Sequence, residues 1–467
     1  MKLNLDFNIK DNTIHEFKKV LLPNENIDIL NVRTLEENEN IISLELSSGD
    51  KKTVFTLKNY SDKMVDQKIV MIKAGMLKLF DKIYPWGALV GVRPTKLVRR
   101  FLIMGYSYEE IDEILEKLYL AFPEKRKLLI DVVKKENQFL NSNAVNMYVG
   151  IPYCPTRCRY CSFASYEINS KLGNYYDKFV DTLIEEIELT GKYLKNTTKK
   201  IESLYFGGGT PSILTEKDLK RVLSALFQNI DLTHLKEFTF EAGREDTLNV
   251  EKLQILKEFN VDRVSLNPQS FNEHILKELN RNFDRIHFDN MFNEIKKLGF
   301  IVNMDLILGL PGESVDNILN TLNEIKKYDI DNLTIHALAI KNGSKLVREK
   351  YKITAIENQR IEEAIKKLTE EKNLEPYYLY RQKNSLDWGE NVGYSKVGKE
   401  SIFNIEMIEE NQSTIALGGG AISKKVEILP DDKTRFEIIR YINPKDPYMY
   451  ICEMKERMKQ KKELFNF

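Results

Sequence analysis

Cysteine is scarce in this chain: 467 residues hold four, Cys154, Cys158, Cys161 and Cys452. A disulfide framework uses an even, spread set, so a reduced, cytoplasmic setting is expected. Histidine is scarce too: His15, His234, His274, His287 and His336 all stand far from the first three cysteines. Neither charge sign is in excess, with 70 Lys plus Arg against 70 Asp plus Glu. No global field therefore favours nucleic acid or an anionic membrane. No stretch approaches ~18 consecutive apolar residues, so no transmembrane helix is expected. The start, MKLNLDFNIKDNTIHEF, lacks a basic segment followed by an apolar one, so no secretory signal is expected.

What remains is ordinary globular material: 42 % hydrophobic, 30 % charged and 10 % aromatic, which is enough to build real cores. At ~150 residues per domain the length fits two or three domains. Residues 1–142 read as an N-terminal α+β domain of unassigned role. Strand-like runs lie near Ile41–Leu46 and Thr53–Leu57, and helical patterns over Asp62–Phe80, Tyr108–Leu120 and Glu124–Phe139, the second capped by Ser107. Residues 143–345 alternate β-rich runs (Met147–Ile151, Ser203–Phe206, Glu237–Phe240, Arg263–Leu266, Ile301–Leu308, Leu333–Leu338) with amphipathic helical stretches. Strand, helix, strand repeated six times predicts an α/β fold, a curved, incomplete (β/α)6 barrel. Its chemistry is expected in loops at the carboxyl ends of strands. Residues 346–467 read as a C-terminal α+β extension covering the substrate, with a helix over Glu357–Glu371 and a charged helical tail.

The first run leads into Ile151-Pro-Tyr-Cys154-Pro-Thr-Arg-Cys158-Arg-Tyr160-Cys161, spaced Cys-x3-Cys-x2-Cys. Three thiolates on one loop can ligate three irons of a [4Fe–4S] cube, leaving the fourth iron open to a cofactor. Zinc, the bland alternative, usually wants four ligands in Cys-x2-Cys pairs, and no second pair exists. The second run ends at Gly207-Gly208-Gly209-Thr210-Pro211, where backbone amides can approach a ligand with no Cβ in the way. The third ends at Glu241, the fourth runs on to Gln269, and the fifth carries Asp305. A polar side chain at the end of each strand exceeds what solubility requires.

The cysteine loop after a first strand in a six-unit α/β region resembles the radical S-adenosylmethionine (SAM) enzymes. The order of IPYCPTRCRYCSF, PYYLYRQKN and ENVGYS resembles the oxygen-independent coproporphyrinogen III oxidase (coproporphyrinogen dehydrogenase) family, HemZ-like branch, over roughly residues 146–425. The resemblance implies that Cys154, Cys158 and Cys161 hold the cluster. It implies that Tyr148, Gly208, Glu241 and Ile422 contact the cluster-bound SAM. A second SAM would meet Tyr160, Gly209, Thr210, Gln269, Arg281, Asp305 and Ala339. The implied reaction is oxidative decarboxylation of two propionates of coproporphyrinogen III, started by a 5′-deoxyadenosyl radical and giving protoporphyrinogen IX. A low-potential donor such as flavodoxin or ferredoxin would feed the cluster.

The tetrapyrrole's carboxylates call for cations beside aromatics. Arg93, Lys96 and Arg99, and Tyr378, Arg381 and Lys383, are the candidates. Two departures matter. Phe163 stands where the best-known oxidase has a fourth cysteine. Glu390-Asn391-Val-Gly-Tyr394-Ser395 stands where a haem-chaperone branch carries His-Asn-x-x-Tyr-Trp, and a carboxylate is a poor axial haem ligand. The alternatives are another radical SAM tetrapyrrole reaction, haem methylation with ring opening, or a non-catalytic haem-delivery protein.

Overall fold

The computed structural model describes residues 1–8, 12–60, 66–195, 199–351, 358–382, 389–429 and 432–465, in two units, Met1–Lys134 and Lys135–Phe467. In the first unit the strands Lys2–Leu5, Ile29–Glu37, Ile41–Ser48 and Lys51–Lys58 pair in chain order, the first pair parallel and the rest antiparallel. Patterning points only to the last two. Lys2–Leu5 is too short to show a period, and Ile29–Glu37 alternates through Leu30 and Val32 before drifting into exposed Leu35, Glu36 and Glu37. Helix Gln67–Leu79 packs on this sheet through buried Met71, Ile72 and Met76. Ser107 caps Tyr108–Lys117 as expected, accepting from the Glu110 amide at 3.2 Å while Glu110 reaches back to the Ser107 amide.

In the second unit six parallel strands pair in chain order: Ala144–Ile151, Lys200–Gly208, Glu237–Gly243, Arg263–Leu266, Ile301–Leu308 and Asn332–Ala337. Five helices return the chain between them: Tyr176–Leu194, Glu216–Asn229, Val250–Glu258, Arg285–Lys297 and Val315–Ile325. The period-2 alternation of strand side chains explains the layering. Met147, Val149, Leu204, Phe206, Phe238, Phe240, Val264, Met304 and Leu333 all join one core with helix residues such as Leu183, Leu223, Phe288 and Leu322. The intervening positions, Tyr148, Tyr205, Glu241, Asp305 and His336 among them, fall on the opposite face. A wholly buried parallel sheet would be apolar on both faces, so a polar inner face marks an interior built for something other than packing.

The sheet continues past six strands. Ser413–Gly418 adds parallel to the first strand, and Ile422–Leu429 and Asp432–Ile442 follow antiparallel. At the other edge Glu390–Ser395 and then Glu375–Arg381 add antiparallel. The eleven strands do not close on themselves, so the barrel is partial, as expected. Residues after 346 thus widen the barrel sheet on both sides. Toward the amino ends of the strands the inner face is sealed. Arg263 pairs with Glu237 at 2.8 Å and donates to Asn332 at 2.9 Å, and Glu237 accepts from Ser401 and from the Ile402 amide. Ile402 opens the helix Ile402–Glu409, whose Phe403 stacks on Tyr205 at 4.5 Å and Tyr148 at 6.1 Å. The strands' carboxyl ends are left to hold the site.

Candidate functional site

The cysteine loop leaves the first strand and is held by backbone bonds. The amides of Tyr166 and Ile168 donate to the carbonyls of Pro152 and Cys154, and the Cys161 amide donates to Cys158 at 3.1 Å. Arg157 gives its amide to Glu167, and Asn280 caps the Arg157 carbonyl at 3.0 Å. The three thiols therefore sit on one laced turn: Cys154 and Cys158 are buried, Cys161 half-buried. Thr210 Oγ1 lies 3.1 Å from Cys154 Sγ, and Arg244 Nη1 lies 4.0 Å from Cys158 Sγ. Burial pushes the Cys161 thiol up to about 11 and raises Cys154 as well. A bound cation reverses that preference, because a coordinated thiol is deprotonated.

Among the described residues no three His, Cys, Asp or Glu side chains converge tightly enough for a single metal ion. A cube takes its thiolates at separate corners, so three spread thiols from one loop, with no fourth protein ligand, fit a [4Fe–4S] cluster better than zinc. The glycine run fits this loop closely. A Cβ on Gly209 would stand 2.5 Å from Tyr153 O and 3.1 Å from Cys154 Sγ. The Gly209 and Thr210 amides donate to the Ile151 and Tyr153 carbonyls at 2.7 and 2.8 Å. This corrects the expectation that the run presents these amides to a ligand: both are spent on holding the loop. Gly208, at φ +113, makes the turn that permits it.

Beside this loop the inner face opens as a mouth. Tyr148 and Tyr205 stack at 6.1 Å, and a Cβ on Gly207 would stand 2.8 Å from Glu241 Oε2. Glu241 is pushed up to about 8, by burial first and then by Asp305, against a hydrogen bond with Tyr205. Asp305 accepts from Asn303 at 2.9 Å and lies 4.0 Å from His336 Nε2, whose Nδ1 meets Tyr380 OH at 3.2 Å. Gln269 holds a left-handed backbone, φ +65, fixed by two bonds to the fifth strand. Its side-chain Oε1 is buried with no partner, as are Asn267 Oδ1 and Arg281 Nε. Strain and unsatisfied buried polar atoms at one place are what a ligand relieves.

Of the residues expected from the sequence, Tyr148, Gly208, Gly209, Thr210, Glu241, Gln269, Arg281 and Asp305 come together with the cysteines at this end of the barrel. Tyr160 packs with Leu279, Leu310 and Leu338 beyond the fourth, fifth and sixth strands. Ala339 follows the sixth strand, and Ile422 opens the strand Ile422–Leu429, 38 % exposed. Arg381 is buried on the strand Glu375–Arg381, and Tyr378 bonds Thr334 at 3.1 Å. Arg93, Lys96 and Arg99 belong to the first unit, around the start of helix Pro94–Ile103. Lys383 lies outside the described residues. Sequence reasoning missed Arg244. It is buried, bonded to Asp246 at 2.5 Å and to Thr156 at 3.0 Å, and it brings a cation to 4.0 Å from Cys158 Sγ. The only signal is its place just after the third strand, in Gly243-Arg-Glu-Asp, which reads as a solvated charge run.

Residues 148–325 match the radical SAM superfamily, whose members use a [4Fe–4S] cluster and SAM. Oxygen-independent coproporphyrinogen-III oxidase-like protein HemZ of Bacillus subtilis is 38 % identical over 376 residues, 78 % of this chain and 74 % of that one. Heme chaperone HemW of Lactococcus lactis is 28 % identical, covering 59 % of this chain and 68 % of its own. Coproporphyrinogen III oxidase HemN of Escherichia coli shares the fold at a TM-score of 0.52 and 19 % identity, over 70 % of this chain and 73 % of that structure. By the length and closeness of the HemZ match, together with the cysteine loop and the partial barrel, the chain belongs to the HemZ-like branch of the oxygen-independent coproporphyrinogen III oxidase family of radical SAM proteins.

Proposed function

We propose that the protein removes two propionate carboxyl groups from coproporphyrinogen III, leaving vinyls and giving protoporphyrinogen IX. The observation that supports this reading best is the mouth itself: an aromatic, partly charged inner barrel face set beside three cysteines on one loop. Cys154, Cys158 and Cys161 hold the cluster, and Arg244 supplies positive charge beside Cys158. That cluster, once reduced, would supply the one-electron cleavage of SAM whose 5′-deoxyadenosyl radical removes a propionate β-hydrogen; CO2 would then be lost and the one remaining electron per propionate would pass to an external one-electron acceptor.

The protein's own part is orientation and exclusion of water. Glu241, once ionised, accepts both ribose hydroxyls of the cluster-bound SAM, and Tyr148 and Gly208 line its path. Arg281 and Gln269 bring an unpaired donor and an unpaired acceptor to a second SAM, with Asp305 facing its positive groups. A one-electron donor such as flavodoxin or ferredoxin feeds the cluster. Haem delivery draws on the likeness to HemW, but Glu390 occupies the place of the haem-binding histidine.

The test is anaerobic incubation of reconstituted protein with dithionite, SAM and coproporphyrinogen III. Substrate-dependent 5′-deoxyadenosine and a porphyrin lighter by two CO2 and four hydrogens, as two propionates become vinyls, are expected. A product heavier by a methyl group, or tight haem binding with no deoxyadenosine, overturns the reading.

A further inference from the structure

The turn after the sixth strand contains a cation that neither the cluster nor the cofactor roles above employ. Lys341 lies five residues beyond His336. Its turn is closed by the Ser344 amide on the Lys341 carbonyl at 3.1 Å. The same turn is tied to the cysteine loop at two points. Arg157 Nη2 donates to the Gly343 carbonyl at 2.8 Å, and the Lys345 amide donates to the Arg159 carbonyl at 3.0 Å. Gly343 runs at φ +108, with room for a Cβ only 3.4 Å from Ser162 O, so the turn follows the loop closely. Lys341 thus lies in the turn that joins the sixth strand to the cysteine loop, near enough to His336 for its charge to act on that ring.

Two features make it a binding group. Among the described residues its ammonium has no hydrogen-bond or ion-pair partner. The other mouth cations already have partners for their terminal nitrogens: Arg244 with Asp246, and Arg281 Nη2 with the carbonyls of Asn267 and Gly243, which leaves its Nε for the second SAM. The side chain is also exposed, yet the protein around it lowers its pKa. An accessible ammonium partly covered by protein can be reached by a ligand carboxylate, and an ion pair formed there is less screened than one in open water.

We propose that Lys341 anchors a carboxylate in the mouth, and specifically a propionate of the tetrapyrrole, holding that arm beside the cluster. This rests on the coproporphyrinogen reading above. The same chemistry could be met by the methionyl carboxylate of SAM, and the experiment separates the two.

Reconstituted wild-type, Lys341→Met and Lys341→Arg proteins are titrated anaerobically with coproporphyrin III by fluorescence, and with labelled SAM by equilibrium dialysis. Iron content and circular dichroism establish that the variants are loaded and folded. Losing one charge-assisted contact weakens coproporphyrin III binding by about tenfold in Lys341→Met. Lys341→Arg recovers most of it, and SAM binding stays unchanged. Etioporphyrin III, which has no carboxylates, binds Lys341→Met and wild type alike. Equal coproporphyrin III affinity in wild type and Lys341→Met overturns the proposal. Weakened SAM binding with unchanged coproporphyrin III binding also overturns it, and assigns the ammonium to the cofactor. Wild-type protein that binds no coproporphyrin III overturns the tetrapyrrole reading itself, a result distinct from any effect of the variant.

Discussion

Glu241 is a carboxyl group among aromatic rings with a second carboxylate nearby, and both influences favour its neutral form, lifting it to about 8. To accept two ribose hydroxyls it must lose that proton. Below its pKa, binding therefore releases a proton, and affinity for SAM rises with pH, by up to about tenfold per unit between pH 6 and 8. Glu241→Gln should bind SAM more weakly at pH 8 and lose the slope. Equilibrium dialysis across that range checks it, and an unchanged slope in the variant rejects the role. At the cysteines the outcome is binary. Cys158→Ala should lose the iron, sulfide and visible charge-transfer absorbance of the reconstituted protein, while Cys452→Ala, exposed on the C-terminal helix, keeps all three. The cysteines were legible in sequence because a three-thiol loop needs its residues within one turn. Arg244 was not legible, because its value comes from Cys158 and Thr156, 86 and 88 positions away along the chain.

At the scale of elements, the decisive contact is between the glycine turn of the second strand and the cysteine loop of the first. Gly209→Ala places a methyl group 2.5 Å from the Tyr153 carbonyl, next to Cys154 Sγ, and backbone rather than a flexible side chain must give way. We expect iron retention to fall at least several-fold with little change in far-UV circular dichroism. Gly91→Ala, where the space is open, should change neither. Full retention of iron in Gly209→Ala would show that the loop tolerates the shift. The six strands were readable because each combines a β-rich core-facing set with a polar terminus. The flanking strands were not. Glu375–Arg381 carries tyrosines that read as a substrate motif, yet Tyr378 lies across Gly393 on the neighbouring strand, where a Cβ would collide with the ring. Ser413–Gly418 is only six residues long, and its partner is the first strand, some 270 positions earlier. Pairing at that separation leaves no periodic trace.

Across the second unit, the barrel edge is secured by a buried polar knot. Glu186, on helix Tyr176–Leu194, accepts from the Gly418 amide at 2.7 Å, Asn443 Nδ2 at 3.1 Å, Tyr450 OH at 2.6 Å and Lys461 Nζ at 2.6 Å. Lys461 also donates to the Ala416 carbonyl at 2.7 Å. The side chains of Glu186 and Lys461 are 1 % and 2 % exposed. One carboxylate thus joins a barrel helix, the seventh parallel strand and the C-terminal helix Pro447–Phe465. Taking two charges out of water is costly, so the intact pair adds little net stability, but removing one partner strands the other. Glu186→Ala should destabilise the second unit by about 3–5 kcal/mol, whereas Glu186→Gln with Lys461→Met, which leaves no buried charge, should cost much less. Hydrogen exchange of residues 447–465 gives the readout: protection lost in the single variant and largely restored in the double. The effect should reach the cluster, because Gly418 and Gly419 pack directly on Gly150 and Pro152, just ahead of Cys154. Iron retention should therefore follow helix protection across the three proteins. Lost protection with undiminished iron would mean that the cysteine loop is held by its own bonds to Gly209, Thr210 and Asn280, and that the C-terminal helix acts only as a brace on the sheet.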